Sequence, residues 1–223
     1  MNETLHILKV FIGDDGRGGN LLGVFLNTDG FSDSRRQKIA ADLGYSETVF
    51  VDDVAKGKLR IFTPAIELPL AGHPLVGTSY LLANSGHVVE VLRPPAGEVR
   101  TWTADGHTWI SANPEWAPEF ELTQLDSPAE VDAYPGAGPG EHRQVWAWQD
   151  ENAGIVRVRV FPTAMGIVED EATGAAALRL GAKLGRKLTI NQGVASKILV
   201  QPEKDGNISV GGRVELVETK QYS

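Results

Sequence analysis

Residues 68–86, LPLAGHPLVGTSYLLANSG, place a lone histidine between a glycine and a proline where a helix begins. Pro74 suits the first position of a helix and the leucines after it can share one face, so the stretch predicts a helix from Pro74 that stops at residues 84–86. The free N–H groups of its first turn and the positive end of its dipole would form an anion site beside His73. On this segment alone, a turn that merely ends a strand is the alternative.

A second segment repeats this order later in the chain. Residues 59–83 and 158–182 each run from a basic residue through an aliphatic residue, a phenylalanine and a short proline-containing loop to a glycine at a helix start. This pattern predicts an internal duplication, although short glycine-containing segments also resemble one another by chance. Two equivalent helix starts could face each other across a cleft and hold one anionic ligand. The second copy offers Asp170, between two glutamates, in place of His73.

Glu47 is the first candidate for acid–base chemistry. In YSETVFV, an extended strand would put Glu47 on one face with Tyr45, Val49 and Val51. A carboxylate among apolar side chains is partly desolvated and its pKa rises, which suits a group that takes and returns a proton near neutral pH. A glutamate on an edge strand reaching into solvent is the alternative.

Other titratable residues give weaker signals. His73 and Asp170 each precede a predicted helix start, where an aspartate is more often a capping residue than a catalyst. The remaining histidines have no metal-ligand spacing, so no metal site is predicted; they are His6, His87, His107 and His142.

Composition excludes several classes of protein. The 223 residues are 42% hydrophobic and 22% charged, as in ordinary globular chains, and the net charge of −8 argues against nucleic acid or anionic membranes as partners. The chain has no cysteine, which removes thiolate nucleophiles and cysteine-based zinc sites. No leader or membrane span is evident, so we expect a cytoplasmic protein. The loop GDDGRGGNLLG does not fit a dinucleotide-binding motif.

The chain divides into two halves. A segment rich in proline and glycine begins at Asn113 and ends the first run of predicted strands, which favours domains at 1–112 and 113–223. The last strand could pack on the first domain. In the first half, Ser34 and Gln37 fit a capping box, and Gly44 is well placed to end the helix that they begin.

The motifs GGN, YSETVFV, LRIFTPAIELPLAGHPLVGTSY, VEDEATGAAA and ISVGGRVELVE occur in this order over most of the chain. Together they resemble the PhzF-like phenazine biosynthesis family. The resemblance implies an α+β fold of the diaminopimelate epimerase type. Each of its two similar domains is a barrel-like, mostly antiparallel sheet around a central helix, and the active site lies in the interdomain cleft. It also makes a homodimer plausible.

The resemblance further implies roles for individual residues. Glu47 would be the catalytic acid/base, while His73 and Asp170 assist proton movement or position the substrate. The residues implied in binding the substrate carboxylate or lining the same cleft are Asn20, Ser46, Gly72, Thr173, Gly174 and Ala175. The family works without a metal or an organic cofactor, and its epimerase relatives use two cysteines that this chain lacks.

Three departures from the family pattern fall on substrate contacts. Leu21 stands where the family commonly has proline, Ala175 where it usually has serine, and no arginine lies between Gln192 and Ser196. The reaction class is therefore implied more firmly than the family's best-known substrate.

We predict a cofactor-independent isomerase that moves a proton on a small carboxylate-bearing metabolite. Two alternatives stay open: a non-catalytic protein that binds a small acid, and an amino-acid racemase or epimerase that uses carboxylates in place of thiols.

Overall fold

A computed structural model describes residues 3–222. Within that range the fold mixes fourteen strands with four α-helices, which confirms the predicted α+β class. The helices are α1 (Asp33–Leu43), α2 (Gly72–Asn84), α3 (Pro128–Asp132) and α4 (Gly174–Leu184). The strands of the first half are β1 (Glu3–Ile12), β2 (Asn20–Leu26), β3 (Glu47–Asp53), β4 (Lys58–Phe62), β5 (Glu67–Leu68), β6 (Val91–Leu92), β7 (Val99–Ala104) and β8 (His107–Ala112). Those of the second half are β9 (Glu121–Gln124), β10 (His142–Asp150), β11 (Ile155–Pro162), β12 (Leu188–Gln192), β13 (Ser196–Pro202) and β14 (Ile208–Tyr222).

Eight strands form a barrel in the order β4, β3, β2, β1, β14, β8, β7, β6. The barrel closes where the Arg93 N–H donates to the Gly57 carbonyl at 2.7 Å and the Leu59 N–H donates to the Arg93 carbonyl at 3.2 Å. Closure leaves an interior that one helix fills, and α2 contacts β1, β2, β3, β7, β8 and β14. Helix α2 has apolar or small residues on almost all of its faces, which is the pattern of a helix that is buried on all sides.

Helix α2 begins two residues before the predicted start. Ala71 is the extended N-cap, so Pro74 is the third residue of the first turn rather than the first. The first four N–H groups of a helix have no intrahelical partner, so a proline at this position removes no helical hydrogen bond.

Helix α1 covers the outside of the barrel. Its Ile39 and Ala40 pack on Phe25 and Phe50, while alternate residues of the same strands face α2. The predicted capping box was wrong: the N-cap is Ser32, whose hydroxyl accepts from the Arg35 N–H. Gln37 instead donates to the carbonyl of Thr63, a partner from another loop. Gly44 ends the helix in the left-handed region, as predicted.

The second half forms an open run of strands in the order β14, β13, β12, β11, β10, β9. Helix α4 packs on β13 and β14, and α3 packs on β10 and β11. In each half, an antiparallel hairpin leads into a buried helix: β3 and β4 precede α2, and β10 and β11 precede α4.

Strand β14 joins the two halves. Residues 208–212 pair with β8, and residues 208–211 pair with β13 on their other side. Residues 213–222 then pair with β1. A division into two similar domains at residues 112 and 113 stays a prediction.

Candidate active site

The starts of α2 and α4 meet at two glycines. A Cβ atom added to Gly72 would lie 2.6 Å from the Cα of Gly174, and one added to Gly174 would lie 2.7 Å from the Cα of Gly72. Real Cβ atoms do not approach other atoms so closely, so only glycine at both positions allows this contact. The two helix starts predicted from the repeated segments therefore lie side by side.

Neither helix start is capped by a side chain. Ala71 cannot cap α2, and the Thr173 side chain makes no capping bond to α4. The first intrahelical bonds are made by the N–H groups of Leu75 and Ala177, so the N–H groups of Gly72, His73, Gly174, Ala175 and Ala176 have no partner within their helices. The Thr173 N–H instead donates to Oε1 of Gln192 at 3.2 Å. Two positive helix ends with such N–H groups at one place are suited to bind an anion.

Glu47 lies beside these helix starts. It opens β3, an inner strand paired with β2 on one side and β4 on the other, so the edge-strand alternative is wrong. The residue is 8% exposed. Its Oε2 atom lies 3.3 Å from Nε2 of His73, which is 2% exposed. The two atoms are not aligned for a hydrogen bond, and neither has another partner among residues 3–222.

Burial raises the pKa of the Glu47 carboxyl above its ordinary value. The His73 ring lowers that pKa, the Asp170 carboxylate raises it, and the Ser46 hydroxyl lowers it, but burial is the largest effect. Glu47 therefore has what a proton carrier needs, a raised pKa and an oxygen free of other bonds.

Asp170 is held differently. Its Oδ1 accepts from the side-chain amide of Asn20 at 2.6 Å, and its Oδ2 accepts from the hydroxyl of Thr173 at 2.6 Å. The amide of Gln192 donates to the Asp170 carbonyl at 2.8 Å and to the Thr173 hydroxyl at 2.9 Å. These bonds fix the aspartate in place and join the first half of the chain to the second.

A cavity of about 30 Å³ lies over this group of residues. One side of the cavity is formed by the polar residues Glu47, Asp170 and Thr173 and by Ala175 in the first turn of α4. The remaining walls are apolar: Leu68, Leu70, Ala71, Pro118, Phe120, Pro162, Met165 and Ile167. A charged substrate group entering this cavity would be removed from water, which strengthens its interaction with the helix dipoles.

The structure brings together most residues singled out in the sequence. Ser46 is half-buried and lines an adjoining groove rather than the cavity, although its hydroxyl acts on the Glu47 carboxyl. The two glutamates beside Asp170 serve elsewhere: Glu169 pairs with Arg159, and Glu171 accepts bonds from the loop at residues 194–196.

Sequence reasoning missed the role of Gln192 and the apolar walls. Gln192 was noted only for a motif that lacks an arginine, yet its amide holds both Asp170 and Thr173. A polar residue at the end of a buried strand was the available signal. Phe120 gave no signal, because it lies in the proline-rich segment between the halves.

Two absences concern residues 3–222. No group of three or more histidine and carboxylate side chains is close enough to hold a metal ion. None of the helices is long and apolar enough to cross a membrane.

A buried glutamate beside a histidine and two uncapped helix starts is an arrangement suited to acid–base chemistry on a small anion. The chain belongs to the phenazine biosynthesis-like protein family, PhzC-PhzF, whose profile matches residues 9–145. This confirms the resemblance seen in the motifs. The enzyme class is isomerase, as it is for the named relatives.

Relatives and solved structures agree with this membership. An uncharacterised isomerase of Pasteurella multocida is 29% identical, covering 94% of this chain and 90% of that protein. The trans-2,3-dihydro-3-hydroxyanthranilate isomerase of Pseudomonas fluorescens is 30% identical, covering 81% of this chain and 80% of that protein. A PhzF-family structure from Enterococcus faecalis shares the fold with a TM-score of 0.79 at 20% identity, over the full length of both chains.

Proposed function

We propose that this protein is a cofactor-independent isomerase that moves a proton between two carbons of a small carboxylate. The observation that carries the proposal is the buried Glu47 carboxyl, with one oxygen unpartnered, beside two uncapped helix starts. The chain itself supplies the proton carrier and the donors for an anion.

The substrate carboxylate binds at the N–H groups that begin α2 and α4. Glu47 removes a proton from a carbon conjugated with that carboxylate, and the electron pair of the C–H bond spreads into the conjugated system. The added negative charge is stabilised by the same N–H groups and helix dipoles. Glu47 then returns the proton to another carbon, so that a double bond moves and no atom is gained or lost.

Of the two carboxylates in the site, Glu47 is the one with an oxygen free to carry a proton. A two-base epimerase needs a second group free to give a proton on the opposite face of the carbon. Both oxygens of Asp170 already accept hydrogen bonds from Asn20 and Thr173, whereas Glu47 has a free oxygen. Asp170 would therefore position its neighbours and raise the pKa of Glu47 through its negative charge, rather than carry the proton.

A dihydro-hydroxyanthranilate is the first substrate to test, because a named relative acts on such a compound. Ala175 lines the cavity and has no hydroxyl, so this chain provides one donor fewer than a serine would. Other small unsaturated carboxylates and amino acids therefore belong in the same panel.

The test is deuterium incorporation from heavy water into each compound, with the wild type beside Glu47→Gln. The variant keeps the shape of the side chain and loses the proton carrier, so exchange should fall by two to four orders of magnitude, the usual range for general acid–base catalysis. Near-normal exchange in Glu47→Gln would overturn the proposal. Binding of a compound without exchange in the wild type would instead favour a small-acid-binding protein.

A further inference from the structure

A second groove, of about 410 Å³, adjoins the cavity that contains Glu47. It lies between three loops, one before β3, one after β4 and one after β11. Its lining consists of Gly44, Tyr45, Ser46, Pro64, Ala65, Met165, Gly166 and Ile167. We call this the apolar groove.

The apolar groove and the active-site cavity share part of their lining. Met165 and Ile167 line both spaces, so the two spaces adjoin at these residues. Ser46 lines the groove and precedes Glu47 by one peptide bond. Methionine has three rotatable bonds and adapts to what it contacts, so a rotation of Met165 would let one ligand occupy both spaces.

The sizes of the two spaces show that the cavity alone does not hold a metabolite. Ligand pockets of proteins usually measure about 300–1,000 Å³. The cavity, at about 30 Å³, falls far below this range, and the groove, at about 410 Å³, falls within it. The acid end of a ligand would enter the cavity, and the rest of the molecule would lie in the groove.

The lining of the groove indicates the chemical character of the part of the ligand that would lie in it. No charged side chain lines it, whereas the nearby surface groove around Arg159 and Glu169 is lined by ion pairs. Two residues that follow its lining residues in the chain are exposed and apolar: Ile66, next to Ala65, is 51% exposed, and Val168, next to Ile167, is 82% exposed. Exposed apolar side chains around a concave surface mark a place where an apolar ligand is covered.

From the shared lining, the sizes of the two spaces and the uncharged wall of the groove, we infer that the apolar groove binds the carbon skeleton of the substrate, and that the substrate class is a carboxylic acid with an apolar chain or ring. The inference rests on the proposed function for the position of the acid end. It assigns selectivity among acids to the three loops rather than to the helix starts.

The test uses acetate, butyrate, hexanoate and 4-phenylbutyrate as probes, with dissociation constants from NMR titration of the intact protein. Burying one methylene group is worth a factor of about four in affinity, so hexanoate should bind far more tightly than acetate. In Ala65→Trp the indole fills the groove, and in Ala65→Asp a charge enters it. In both variants the ratio of hexanoate to acetate affinities should fall towards one.

Ala55→Trp is the matched control, because Ala55 is exposed in the turn between β3 and β4 and lines neither space. It should keep the dependence on chain length, and thermal unfolding of all variants checks that they are folded. Affinities that do not depend on chain length, or a dependence that survives both Ala65 variants, would overturn the inference. So would a change in sedimentation mass in Ala65→Trp without a change in affinity, because a second copy would then be what covers the groove.

Failure of the proposed function gives a different result. If Glu47→Gln retains deuterium exchange while the probe series behaves as expected, the groove assignment stands and the role of Glu47 is wrong. If exchange is lost in Glu47→Gln but affinity does not depend on chain length, the role of Glu47 stands and the groove assignment is wrong.

Discussion

Asn20 connects two parts of the chain that lie 150 residues apart. Its side-chain amide donates to Asp170 at 2.6 Å and to the Ala172 carbonyl at 3.0 Å, and all three groups are buried. Asn20→Ala should lower the free energy of unfolding by about 1–3 kcal/mol, because two buried acceptors lose their donor. Chemical denaturation measures this loss. The exposed Asn152→Ala serves as control and should change little; equal losses in the two variants would contradict the assignment.

Glu47 makes stability depend on pH. Its pKa is raised in the folded state, so folding favours the protonated carboxyl and the stability it contributes is lost as pH rises through the folded pKa. Glu47→Gln removes the cost of burying the charge and should be more stable than the wild type at neutral and alkaline pH. The difference should close as pH falls towards the ordinary glutamate value of 4.5.

Denaturation of Glu47→Gln across this pH range checks the prediction, with the exposed Glu151→Gln as control. A difference in the free energy of unfolding between wild type and Glu47→Gln that stays constant with pH would show that burial does not shift the pKa of this carboxyl.

At the residue scale, the sequence predicts which side chains are buried better than it predicts which groups those side chains bond to. The alternation around Glu47 predicted an apolar face, and the residue is buried. The bonds from Asn20 and Gln192 to Asp170 span long stretches of chain and leave no local pattern. Asn20 was implied only by family resemblance, and Gln192 was not predicted at all.

At the scale of elements, the contact between α2 and α4 depends on two glycines. Gly72→Ala places a methyl group 2.6 Å from the Cα of Gly174, so the helix starts must separate. Overpacking of this kind costs about 1–3 kcal/mol, and the separated N–H groups should bind carboxylates more weakly. Denaturation and the acetate titration measure the two effects.

Gly30→Ala is the matched control, because the added methyl group meets nothing within 4 Å. If both variants bind acetate equally well, close approach of the helices is not what forms the anion site.

Helices and strands with an apolar pattern in their own sequence were predictable, whereas elements that depend on pairing with another part of the chain were not. Strands β1 to β4 and helices α2 and α4 carry apolar patterns and glycine stops that locate them to within a few residues. Strand β9 pairs with β10, and it lies in the proline- and glycine-rich segment that the sequence marks only as a boundary between the halves. The N-cap of α1 is Ser32 rather than the predicted Ser34, and Gln37 bonds to the Thr63 carbonyl of another loop rather than to the helix start.

At the scale of the whole molecule, β14 makes the two halves depend on each other. It hydrogen-bonds to β1, β8 and β13, and loss of either half would leave it with unpaired backbone groups. We therefore expect the amides of α2 and α4 to exchange with solvent through one global opening of equal free energy. Hydrogen exchange monitored along the chain tests this, and a lower opening free energy for α4 would show that the second half unfolds alone.

The sequence predicts only part of this sharing. The terminal segment predicts a strand that could pack on the first domain, but nothing in it shows that residues 208–211 of that strand pair with β8 and β13 at once. The repeated hairpin and helix in each half were visible in the sequence as matching segments, because each repeat is local.

The juxtaposed starts of α2 and α4 also affect how the protein must be handled. The positive ends of α2 and α4 lie together, so an anion bound between them would offset the repulsion of the two helix dipoles. An anion at ten times its dissociation constant would stabilise the fold by about 1.4 kcal/mol. Phosphate, sulfate and acetate buffers would therefore protect the protein in storage while they compete with the substrate, and an apparent KM measured in them would be too high.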